Sequence, residues 1–196
     1  MQNKITDYTL RNGLRILIEE DPNTPIAVCN MLYKVGSRNE DAHKTGFAHF
    51  FEHFMFEGSE HIPDFDTQLQ RAGGRNNAFT TSDFTNYYDE LPACNIETAL
   101  WLEADRMRML AFSQKALDTQ IKVVCEEFKE NYINRPYGDA WHLQMDLSYK
   151  KHPYRWPVIG KNLNHIQSFT LEDTRSFFQQ WYRPDNAILS ICGGVQ

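Results

Sequence analysis

The 196-residue chain is 41% hydrophobic and 23% charged, enough to bury roughly 70% of its unfolded surface in one globular domain. A net charge of −6 without a long basic block excludes a nucleic-acid or anionic-membrane binder. No apolar run approaches the ~18 residues of a membrane-spanning helix.

In chain order, "MQNKITDYTLRNGLRILIEED" enters strand-like alternation at once and has no signal-peptide core. A cytoplasmic protein is expected, or a periplasmic one if a leader has been removed. "YTLRNGLRILIEE" reads as two short strands joined at Asn12-Gly13, and "IAVCNMLYKVG" as a third, mostly buried strand. Helices are predicted over Thr45 to Phe56 and Asp64 to Arg71. "RNNAFT" and "FTNYYDEL" follow as strands around a Thr-Ser-Asp turn. Asn95 to Leu110 suits an amphipathic helix. Ser113 to about Asn134 suits a longer one, stopped by Pro136. Tyr137 to Lys150 reads as another helix, "KHPYRWPVIG" as a loop, Thr170 to Trp181 as a last helix and "NAILSICGG" as a last strand. Strands gathered into hairpins with helices between them predict an α+β fold, a mainly antiparallel sheet packed by helices, over residues 1–196. The four cysteines form no C-x-x-C pair and read as free thiols.

"GFAHFFEHFMFEGS" combines a crowd of phenylalanines with two histidines and a glutamate. Burying those polar groups without partners would cost roughly 1–3 kcal/mol each. On a helical wheel His49, Glu52 and His53 share one arc of roughly 100°, and apolar side chains cover the remainder. Histidines at i and i+4 can close on one divalent ion, which repays the desolvation of neutral imidazoles. The bland alternative is a hydrogen-bonded pair of core histidines with a charged neighbour. The order H-x-x-E-H, with its glutamate on the same stripe, favours a zinc peptidase site.

Catalytic zinc usually takes three protein ligands. Glu126, Glu127 and Glu130 in "IKVVCEEFKEN" are the candidates for the third. Leu117, Ile121, Val123, Val124 and Phe128 define an apolar arc on that helix. Glu127 and Gln120 lie inside it, Glu126 points away, and Glu130 falls just beyond its edge. A carboxylate inside an apolar arc calls for a cation, which singles out Glu127.

With "HFFEH", "CEEF", "GGRNNAFTTSDFTNYY" and "HPYRWPVIG" in this order, the chain resembles the pitrilysin-like (inverzincin) zinc peptidases, the M16 family, over nearly its whole length. Bacterial members of the processing-peptidase branch are the most similar. The resemblance implies a zinc-dependent endopeptidase that hydrolyses peptides held in extended conformation. His49, His53 and Glu127 would be zinc ligands, and Glu52 the general base acting on a metal-activated water. "NNAFT" resembles the family's substrate-binding edge strand, with Asn77 and Ala78 as its contacts. Gln120 stands where the family often carries a second glutamate, and shares the buried face from which it could hydrogen-bond around the ligands. Family members are built from pairs of similar domains, so the resemblance implies the N-terminal domain of a longer chain and a second homologous domain or subunit as partner.

Two other readings are weighed. A non-catalytic peptide-binding subunit would lose the histidines or the glutamate, and this chain keeps all of them. An S-ribosylhomocysteine-type zinc lyase would take a cysteine as third ligand. Cys125 is its candidate, but it points away from the arc holding Glu127.

Overall fold

The structure is a computed structural model and describes residues 5–195. Among the described residues six strands form one sheet: β1 (Ile5–Thr9), β2 (Arg15–Glu20), β3 (Ile26–Tyr33), β4 (Arg75–Thr80), β5 (Thr85–Pro92) and β6 (Ala187–Gly193). Their spatial order is β1-β2-β6-β3-β5-β4. All pairings are antiparallel except β2 with β6, where the chain's last described strand slots in beside an early one. At the first hairpin the turn spans Leu10 to Leu14, and Gly13 takes φ +91°, which glycine adopts without Cβ strain.

The alternation of β3 buries Ala27, Cys29, Met31 and Tyr33 on one face. On that face lie α1 (Phe47–Phe54) and α2 (Phe65–Arg71) against β4, and α3 (Ile96–Arg108) against β3 and β5. α4 (Gln114–Phe128) packs on α1. Farther along are α5 (Ala140–Ser148), α6 (Leu163–Gln167) and α7 (Leu171–Trp181). The phenylalanines of α1 meet an aromatic wall supplied from far away in sequence. Phe47 contacts Phe169 and Phe177, and Phe51 contacts Phe177, Phe178 and Tyr182.

The boundaries differ from expectation where local geometry intervenes. α1 starts only at Phe47 because Gly46 is left-handed, φ +91°. A Cβ on Gly46 would lie 2.4 Å from the Ile159 carbonyl oxygen, so the close crossing of these two segments requires glycine. α4 is regular only to Phe128 and then widens into a π turn over Lys129–Ile133 before Pro136. The helix expected over Tyr137 to Lys150 is regular only over Ala140–Ser148, and α6 lies in a stretch where no helix was predicted. Val123, assigned to the apolar arc of α4, is exposed, whereas Cys125 is buried. The apolar arc is therefore rotated away from Val123.

A buried ion pair braces the sheet side of α3. Arg106 reaches Glu103 through two N–H donors, and its guanidinium lies over the rings of Phe56, Phe65 and Tyr87. Breaking such a pair by removing one partner costs about 3–5 kcal/mol, because the other charge stays buried.

Candidate metal centre

α1 is about two turns long. Phe47, Ala48, Phe50, Phe51 and Phe54 occupy its buried faces, which leaves His49, Glu52 and His53 on the remaining stripe. Across from them α4 presents Glu127. The His49 Nε2–Glu127 Oε1 distance is 3.7 Å and His53 Nε2–Glu127 Oε2 is 3.4 Å. One ligand atom from each of the three residues lies within 4.8 Å of the others.

Zinc–ligand bonds of about 2.0–2.1 Å in a tetrahedral site would space ligand atoms by about 3.3 Å. Two imidazoles and one carboxylate at these separations fit such an ion. Their protonation fits as well. Burial pushes the His49 imidazole down to about 4, so the ring is neutral at pH 7. The close approach of His53 Nε2, at 3.4 Å, holds the Glu127 carboxyl below its ordinary value, against its burial. A neutral His49 imidazole and an ionised Glu127 carboxylate are forms that a divalent cation binds.

Glu52 stands apart from the three ligand candidates. Burial raises its pKa, opposed by a 2.5 Å hydrogen bond that Thr80 Oγ1 donates to Glu52 Oε2. A carboxylate with one oxygen bonded and a raised proton affinity is suited to accept a proton at its other oxygen. The role of Thr80 escaped the sequence reading. Period-two alternation puts Thr80 on the same face as Ala78, but only the packing of α1 on β4 brings Glu52 to it.

The remaining candidates separate cleanly. Glu126 is exposed and pairs with Lys129 at 2.6 Å, and Glu130 is exposed on the π turn. Cys125 is buried and lies outside the cluster found among the described residues. Gln120 donates its amide to Glu57, on the turn that follows α1, so the hydrogen bond it shows goes to that carboxylate and not to His49, His53 or Glu127. β4 is an edge strand, paired with β5 on one side only. Ala78 N–H donates to Asn77 Oδ1 at 2.8 Å. The alternation turns the Asn77 side chain outward and Ala78 toward the helices.

A protein-family model described as Insulinase (Peptidase family M16) matches residues 15–143. The zinc protease PqqE of Helicobacter pylori is 35% identical over 195 residues, which cover 98% of this chain and 44% of that protein. The beta subunit of the mitochondrial-processing peptidase of Saccharomyces cerevisiae is 27% identical over 190 residues, 95% of this chain and 40% of the relative. The crystal structure of a protease from Helicobacter pylori superposes with a TM-score of 0.94 at 34% identity, covering 99% of this chain and 47% of that one. Pitrilysin, at 20% identity and a TM-score of 0.86, shares the fold over 99% of this chain and 21% of its own. The chain thus spans less than half the length of these relatives.

Proposed function

The chain belongs to peptidase family M16, and from that premise we propose that it is the zinc-binding part of an endopeptidase acting on extended peptides. The observation that carries the reading is the cluster of His49, His53 and Glu127 with Glu52 beside it, tied by Thr80 to the edge strand β4. His49, His53 and Glu127 would hold the ion. When bound, zinc supplies a Lewis acid that polarises a peptide carbonyl and acidifies water.

The chain's own residues do the rest. An extended peptide adds to the open edge of β4 through main-chain hydrogen bonds, at Asn77 and Ala78. Its backbone then runs past the face on which Thr80 holds Glu52. With Oε2 occupied by Thr80, Oε1 takes the proton of the attacking water and passes it to the leaving amine nitrogen. A second homologous domain or subunit would close the other side of the peptide.

Zinc content, measured with cleavage of an unstructured peptide in the presence of the second half, tests this. About one zinc per chain is expected. Glu52→Gln should lose turnover and keep the metal, whereas His49→Ala or His53→Ala should lose the metal. If Glu52→Gln emptied the site, Glu52 would be a ligand and the assignment of a base would fall.

A further inference from the structure

The helix that carries the metal-binding stripe begins without a capping side chain of its own. Its N-cap is Gly46, and the first four N–H groups of any helix lack partners inside it. Two of these N–H groups find their partner in Glu40, six residues upstream of Gly46. Glu40 Oε2 accepts from Gly46 N–H at 2.8 Å and Oε1 from Ala48 N–H at 2.8 Å. The carboxyl is held in turn by Trp156, whose indole N–H is shared between Ser37 O at 3.0 Å and Glu40 Oε2 at 3.1 Å. Trp156 is buried, so this clasp ties the loop after β3, the loop after α5 and the start of α1 together.

We propose that Glu40 is a positioning residue for the metal helix: its two carboxyl oxygens close the N-terminus of α1 and fix where His49 points. This rests on the metal-centre reading above. The physical reason is length. A helix of eight residues does not hold its shape alone, and Ala48, whose N–H Glu40 binds, immediately precedes His49. Burial pushes the Glu40 carboxyl up to about 8, against the pull of these N–H donors. Three N–H donors converge on its two oxygens, and a glutamine would offer them only one acceptor.

The test is Glu40→Gln, read in two ways. In metal-free protein, hydrogen exchange of at least one of the Gly46 and Ala48 amides should quicken about tenfold, since glutamine keeps only one acceptor oxygen. Zinc affinity, measured by chelator competition, should fall about 10–100-fold, as for groups that orient metal ligands, and with the proposed second domain added kcat should fall with KM near parental. Leu189→Ala, a core change in β6, serves as the control for lost stability and should leave α1 exchange and zinc affinity parental. Trp156→Phe keeps Glu40 but frees it from the indole, and should shift both readouts in the same direction by less. Parental α1 exchange in Glu40→Gln, or equal zinc loss in Leu189→Ala, overturns the proposal. Should Glu40→Gln fail to fold, parental exchange and zinc affinity in Trp156→Phe overturn it. A parent that takes up no zinc overturns the metal reading instead, and the exchange comparison still decides the cap.

Discussion

Glu52 and Asp89 are both carboxyls raised by burial, and their surroundings give them different work. Glu52 has Thr80 on one oxygen and two histidines along its stripe. Asp89 lies fully buried on β5, faced by Glu103 and Arg106 of α3 and by Asp66 of α2. Burial and the Glu103 charge push it up to about 8, against the pull of Arg106. Its ordinary value is 3.8. Between about pH 4 and pH 8 the unfolded chain has therefore released this proton while the folded chain keeps it. The folded state binds more protons over that window, so stability falls as pH rises through it. In metal-free protein the urea midpoint should decline from pH 5 to pH 8, and Asp89→Asn should make the decline shallower, leaving the share of Glu40, which burial also raises to about 8. An unchanged slope in Asp89→Asn would assign the titration to another group.

At the scale of elements, the question is which face of α4 looks at α1. Glu126 and Glu130 are solvated, and Glu127 faces the histidines. Removing Glu127 would leave two imidazoles, too few protein ligands for a stable catalytic zinc site. Glu127→Gln should therefore weaken zinc binding beyond the 10–100-fold typical of residues that only orient ligands, while Glu130→Gln stays parental. Titration with a competing chelator compares the two directly. Greater damage from Glu130→Gln would mean that α4 is rotated by more than half the angle between these residues. The wheel put Glu127 inside the apolar arc, where the structure has it half-buried, and it also put Val123 on the buried side. The real arc runs through Ala116, Leu117, Val124, Cys125 and Phe128, with Glu127 on its flank. β-branched residues look apolar in sequence wherever they face, so Val123 pulled the inferred arc toward solvent.

For the whole molecule, one face of the sheet carries the helices and the other carries Phe79 and Ile26 exposed among half-buried Val28, Leu32, Tyr88 and Ile188. All three ligand candidates come from this chain, so metal binding and turnover should separate. The chain alone should bind zinc as tightly as it does beside the proposed second domain or subunit. Peptide cleavage should appear only when the second half is added. Calorimetry for the metal and a fluorogenic peptide for turnover would measure both. A zinc affinity that rises more than about tenfold on adding the partner would show that the partner supplies or orders a ligand.

By itself the sequence determined what lies within a few turns of one element. It set the His49, Glu52 and His53 stripe, the hairpin around Gly13, the alternating strand β3, and the helix starts at Ser113 and Thr170, whose side chains cap α4 and α7. These follow from a period of 3.6 or 2 and from local hydrogen bonds, which a chain carries with it. The tertiary structure alone decided which partners those faces meet. Thr80 reaches Glu52 across 28 positions, Glu40 and Trp156 meet at the start of α1 from 116 positions apart, and β6 enters the sheet parallel to β2. Periodicity states where a side chain points about its own axis, but not how two elements are rotated and shifted against each other. Packing of the whole core sets that rotation.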